Sequence, residues 1–166
     1  GAWCAIVVFV VASLIAPPGF FSGACGLGLP TAPSNDPTTF DQIGKVGLGD
    51  LDISDDESTL YVVSLNEKTL YAFNVSSATL AGSYVIPDPG CTGGAWRPFA
   101  TKYKNGAVYI GGVCDAQSSQ NRANLYAYVY RFDPTTNIFT QVLSFPLNYV
   151  KGPATGLGGS VAFSGW

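Results

Sequence analysis

From Gly47 onward, apolar and polar positions alternate in short runs broken by turn-forming residues. Leu48 to Ser54 predicts a strand, with Leu51 and Ile53 on one face and Asp50 and Asp52 on the other. Asp55-Asp56-Glu57-Ser58 predicts a turn, because Asp side chains cap neighbouring backbone groups and tolerate unusual dihedrals. Leu60 to Val63, Leu70 to Val75 and Leu80 to Ile86 follow as strands, separated by Asn66-Glu67-Lys68 and by Ser76-Ser77. Pro87-Asp88-Pro89-Gly90 closes the first group. A second group repeats the order: Pro98 to Tyr103, Ala107 to Val113, Leu125 to Phe132 and Ile138 to Phe145. Its first turn is Asn105-Gly106, a strong hairpin signal because both central residues of a type I′ turn need positive φ. Asp133-Pro134-Thr135-Thr136-Asn137 supplies the last turn.

The groups align by spacing. Leu51 precedes Tyr61 by ten residues, as Phe99 precedes Tyr109. Tyr71-Ala72-Phe73 matches Tyr130-Arg131-Phe132, and Leu80 and Phe139 each lie seven residues beyond that Phe. The offset is 48 residues over the first two strands and 59 over the last two, so about eleven extra residues sit near Asp115 to Asn124. A four-stranded repeat of this period predicts an all-β chain of two antiparallel β-propeller blades, at about 44–90 and 91–151. A β-sandwich is the alternative fold. Since a closed ring needs at least four blades, two blades predict a fragment of a propeller, with the other blades of the parent chain as partners. Residues 152–166, containing Gly158 to Phe163, read as the start of a further blade or a tail.

Ala2 to Ala16 is an uncharged apolar run ended by Pro17 and Pro18. As a helix it is shorter than a hydrocarbon core of about 30 Å. Three readings of residues 1–35 stay open: a signal or anchor remnant, a buried strand, or sequence foreign to the domain. Gly26 to Thr39 has linker composition.

Composition narrows the chemistry. Only 11% of residues are charged, the net charge is −3, and eight of the eleven acidic residues fall between Asp36 and Glu67. Nucleic acid is excluded as a partner, since phosphate neutralisation needs a basic face. Histidine is absent, which removes the commonest general base and every Ser-His or Cys-His nucleophile. Methionine is absent too, as expected of a processed, engineered or partial chain.

Cys91 lies in a Gly-rich loop feeding the open end of the Asn105-Gly106 hairpin, where Cys114 is expected opposite Arg97. A Cys91–Cys114 disulfide is predicted, with two separate buried thiols as the alternative. Cys4 and Cys25 offer a second pair without fixed geometry. Asp50 and Asp52 alternate on the strand expected to be innermost, facing a central channel or a neighbouring blade. Calcium is the cation such oxygen ligands would take, although the acidic run lacks EF-hand spacing; otherwise no cofactor is expected. For recognition, the polar insertion carrying Asp115, Gln117, Asn121 and Arg122 is the first candidate. Trp96, Arg97, Tyr103 and Tyr149 form a candidate polar-aromatic surface, with core packing as the plainer reading. Asn74-Val75-Ser76 matches a glycosylation sequon.

The stretch Gly44 to Asp56 (GKVGLGDLDISDD), followed by Thr59-Leu60-Tyr61-Val62-Val63, resembles a propeller-like region of large bacterial secreted and cell-surface proteins that carry Sdr-type (SD-repeat) B domains. Pro89-Gly90-Cys91, Arg97-Pro98-Phe99-Ala100 and Phe145 to Tyr149 are similar to the same family, and the resemblance spans roughly Asp36 to Lys151. More distantly, the turn-plus-Leu-Tyr-Val pattern resembles NHL, YVTN and lactonase-type propellers in fold. The resemblance implies an exported cell-surface protein engaged in adhesion. The expectation is therefore a non-enzymatic scaffold for protein or glycan binding at the cell surface. A metal-dependent propeller hydrolase or lyase of the lactonase kind is the alternative, and a structural spacer between adhesion modules is a third.

Overall fold

A computed structural model of the chain describes residues 42–149. The expectations for residues 1–35, for Cys4 and Cys25, and for 152–166 lie outside the described residues. Within them the protein is all-β: two four-stranded antiparallel sheets, each a simple meander, with a 3₁₀ turn at Arg122–Asn124. The first sheet contains β1 (Leu48–Ile53), β2 (Thr59–Ser64), β3 (Thr69–Asn74) and β4 (Thr79–Val85). The second contains β5 (Trp96–Lys104), β6 (Ala107–Cys114), β7 (Tyr126–Asp133) and β8 (Ile138–Pro146).

Local chemistry accounts for the turns. Between β1 and β2, the Asp56 carboxylate accepts bonds from the Ser54 and Ser58 hydroxyls and the Ser58 N–H. These bonds hold its pKa down to about 2. Asn74 and Asp133 accept in the same way from Ser76-Ser77 and from Thr135. Asn105 and Gly106 have φ of 51° and 77°, the two positive values that a type I′ turn requires.

The sheets pack against each other through one apolar layer. Tyr61, Val63, Leu70 and Ala72 on one face of the first sheet meet Val108, Ile110, Tyr130 and Phe132 of the second, with Trp96, Leu65 and Ile86 completing the layer. On the opposite face of the first sheet, Leu60, Val62 and Phe73 form a second cluster with Leu48, Tyr71, Val75 and Ala78. β2 and β3 are therefore apolar on both faces, while β4 and β8 at the sheet edges are largely exposed.

The repeat shows which faces correspond. The cross-strand pairs Leu60↔Phe73 and Val62↔Tyr71 reappear as Val108↔Phe132 and Ile110↔Tyr130, at the same offsets of 48 and 59 read along the chain. The back face of the second sheet thus packs on the front face of the first, and the front of the second, bearing Tyr109, Gly111, Val129 and Arg131, points onward. Both units keep one sense. A symmetric front-to-front sandwich would instead bury equivalent faces against each other.

The closest approach of the two sheets is along β1 and β5. There the Asp50 carboxylate accepts from the Thr101 N–H (3.0 Å) and the Asp52 carboxylate from the Tyr103 N–H (2.7 Å). Contacts advancing in step along both chains mean that β1 and β5 run parallel. A Cβ added to Gly49 would lie 2.9 Å from the Phe99 carbonyl oxygen, so the approach needs glycine at that position.

Two expectations are corrected. In the first strands, Leu51 pairs with Val62 while Thr101 pairs with Ile110, so Leu51 corresponds to Thr101 and not to Phe99. The β1–β2 turn is two residues longer than Asn105-Gly106, with Ile53↔Leu60 matching Tyr103↔Val108. Second, Cys114 stands opposite Trp96, not Arg97. A β-bulge between Pro98 and Ala100 adds one unpaired residue, Phe99, and shifts the register beyond it by one.

Candidate functional site

The bulge decides which side chains reach the surface. A one-residue shift exchanges the faces of every residue beyond it. Trp96 therefore turns into the core, fully buried, edge-on to Tyr128 and Tyr130 with ring centroids 5.9 Å away in both cases. Arg97 turns outward. The expected Trp96-Arg97-Tyr103-Tyr149 surface is thus not assembled. Tyr103 stacks on Tyr61 in the layer between the sheets, and Tyr149 lies beyond β8, where its carbonyl accepts from Arg122 Nη2 at 3.3 Å. Gly112 makes the space for Trp96, since a Cβ there would lie 2.6 Å from the indole ring.

Asp115 organises the insertion that follows β6. One of its carboxylate oxygens accepts from the Ala95 N–H (2.9 Å) and the Gln117 N–H (3.0 Å), and the other from Arg97 Nε (2.8 Å). Burial pushes its pKa up, but those N–H groups and the Arg97 charge outweigh that effect and hold it below the usual carboxylate value. The Ser119 N–H donates to the Gly93 carbonyl at 2.8 Å, and the Asn124 amide donates to Ser119 Oγ at 3.0 Å. Asn121 caps the 3₁₀ turn by accepting from the Ala123 N–H. Arg122 Nη2 ties the segment to the chain beyond β8 through the Asn148 and Tyr149 carbonyls. Cys91 and Cys114 form a disulfide, Cα–Cα 5.4 Å, that fastens the 90–95 loop to the start of the insertion. The insertion is thus fixed from both sides, which presents its side chains at low ordering cost.

Among the described residues three depressions touch it, one beside the disulfide at Ala123 and Asn124 and two that open on its charged and amide side chains. The larger of these two, about 500 Å³, is lined by Ile43, Gly44, Lys45, Arg97, Phe99, Val113, Asp115, Gln117 and Gln120. The smaller, about 190 Å³, shares Asp115 and Gln120 and adds Asn121, Arg122 and Leu125. Asp115, Gln117 and Arg97 come together in the first, Asn121 and Arg122 in the second. Lys45, Phe99 and Gln120 complete the cleft although no sequence motif marks them as site residues. Nothing in the residues around Lys45 marks its approach to β5, whereas the Gly111-Gly112 pair opposite Phe99 is a signal for a bulge.

Asp50 and Asp52 lie apart from this cleft, on the front of β1. Each carboxylate uses one oxygen for the following backbone N–H, of Leu51 and Ile53 respectively. The other bridges to β5, and for Asp52 it also meets Lys102 Nζ at 2.8 Å. Burial raises the Asp52 pKa, but the bonds from Lys102, Tyr103 and Ile53 more than offset this and lower it. Of the two surroundings expected for these residues, the neighbouring sheet is the one observed. Among the described residues, no group of three or more His, Cys, Asp or Glu side chains converges as a metal site would require.

Comparison with known proteins finds no matching family model. The chain is similar to three proteins of Dictyostelium discoideum. It is 29% identical to Colossin-A over 67% of its own length, 27% identical to Colossin-C over 66%, and 31% identical to Colossin-D over 75%. It spans only 1%, 11% and 13% of those proteins respectively. The similarity is to a small part of much longer chains.

Proposed function

We propose that this chain is a propeller-type segment of an exported surface protein, working as a non-enzymatic scaffold that binds protein or glycan ligands through the 115–122 insertion and its cleft. The observation that carries this reading is the same-sense stacking of the two sheets, with β1 and β5 parallel at the closest approach. Blades of a propeller stack in this sense around a channel, and their loops gather at its two ends. The front of the second sheet carries Tyr109, Gly111 and Val129 where the first sheet carries Tyr61, Val63 and Leu70 under its neighbour. That face takes the next blade of the parent chain. The disulfide fits an oxidising compartment, in keeping with export. Among the described residues, no helix is long and apolar enough to cross a membrane.

The test is binding of the folded chain to a glycan array and to intact cells, beside a triple variant Gln117→Ala, Asn121→Ala, Arg122→Ala. Binding that the triple variant loses, while its amide spectrum shows both sheets intact, is the expected result. Binding untouched by the triple variant, or none on either surface, rules out the insertion as the recognition site.

A further inference from the structure

We infer that the larger cleft binds a carboxylate-bearing sugar, a uronic acid residue of an acidic glycan. The inference rests on the binding-scaffold reading above and narrows its ligand. The chain carries a net charge of −3, yet the charged groups lining this cleft are Lys45, Arg97 and Asp115, two cations against one carboxylate. Asp115 holds Arg97 by the Nε–H alone in a 2.8 Å bond. The remaining four donors of the guanidinium belong to its two terminal nitrogens, in the planar fork that matches a carboxylate or a pair of adjacent hydroxyls. Lys45 sits on a fixed turn, its N–H donating to the Gln42 carbonyl at 2.9 Å. It supplies the unbalanced positive charge.

Phe99 supplies the apolar element. As the unpaired residue of the bulge it is 51% exposed, at the cleft. An aromatic face is a platform for the C–H side of a pyranose ring, while ring hydroxyls seek planar amides such as those of Gln117 and Gln120. A cleft of about 500 Å³ lies in the ordinary range for small-ligand sites. An extended peptide is the poorer fit. Strand addition needs a free edge, and the edge of β5 is covered by β1, which approaches the Phe99 carbonyl through Gly49 and takes the Thr101 and Tyr103 N–H groups through Asp50 and Asp52.

The experiment uses D-glucuronate as probe, with D-glucose and acetate as comparators, followed by backbone amide shifts in the folded chain. Glucuronate is expected to move the amides of Arg97, Phe99, Val113 and Gln117 saturably, at concentrations about tenfold below those either comparator needs. Lys45→Gln and Phe99→Ala should each weaken glucuronate by about fivefold, the scale of one exposed ionic or aromatic contact, without lowering the melting temperature. Acetate binding as well as glucuronate would reduce the site to a carboxylate trap and overturn the inference. Equal binding of glucose, or no saturable shift at these amides, overturns it as well. The glycan-array and cell experiment, which reads any ligand, can still succeed when this one fails, so the two failures are distinct.

Discussion

Replacing Asp50 and Asp52 together by Ala removes the two carboxylates that join β1 to β5. The bonds lost are Thr101 N–H to Asp50 at 3.0 Å and Tyr103 N–H to Asp52 at 2.7 Å. Hydrogen bonds to a charged acceptor contribute about 1.5–3 kcal/mol each. Thr101 is only 5% exposed, so its N–H is left without water as a full substitute. Asp50 lies more open than Asp52, which places its bond at the lower end. Together the two changes are expected to cost about 3–5 kcal/mol, a large share of the 5–15 kcal/mol typical of a domain. Urea unfolding of the wild type, both single variants and the double variant measures it, and amide hydrogen exchange locates it. Thr101 and Tyr103 should lose protection ahead of β6 and β7. Asp50→Asn with Asp52→Asn keeps a neutral acceptor at each position and should recover about half the loss. A double-Ala variant within about 0.5 kcal/mol of wild type, the scatter of neutral surface changes, would refute the claim that these carboxylates hold the sheets together.

Further outcomes follow from the same geometry. Cys91→Ser with Cys114→Ser opens a closed loop spanning 23 residues of separation, and the chain-entropy relation puts the loss near 3 kcal/mol, read as a lower urea midpoint. Gly112→Ala sets a methyl 2.6 Å from the Trp96 ring and 2.5 Å from the Arg97 carbonyl oxygen; an overpacking cost of about 1–3 kcal/mol and a shifted Trp96 indole N–H resonance are expected. Asp52 and Asp115 both have folded pKa values below the unfolded one, so their stabilisation is complete above the unfolded value of about 3.9 and lost as pH falls through the folded values. Urea midpoints should therefore drop below about pH 4, and Asp115→Asn should flatten that dependence. A Gly106→Val substitution, at φ 77° in a two-residue turn, should cost about 1–2 kcal/mol and loosen the β5–β6 hairpin by hydrogen exchange.

All eight strands were legible in the sequence to within one or two residues at each end, because alternation and turn chemistry are local. The matched spacings around Tyr71 and Tyr130 also carried over into matched cross-strand pairs. What escaped was backbone detail between those marks. The Gly111-Gly112 pair signals a bulge near Phe99 but not which residue is the extra one, and that choice exchanges the faces of Trp96 and Arg97 and so separates a core residue from a cleft residue. The role of Asp50 and Asp52 was legible only as a direction, toward a neighbouring part of the repeat, which is the second sheet. That their partners are amide groups of β5 depends on a meeting of strands some fifty positions apart, which no local pattern encodes. The insertion was visible as extra polar length, but its anchoring by Asp115 to Ala95 and Arg97 was not.

The carboxylates of Asp50 and Asp52 grip main-chain N–H groups, which every amino acid but proline possesses. Such a latch is blind to most of what it holds. The Tyr103 position could be filled by other residues without losing the Asp52 contact, and only proline would be barred for want of the donor. Units joined this way can drift apart in sequence, or be exchanged for one another, while their seam stays closed.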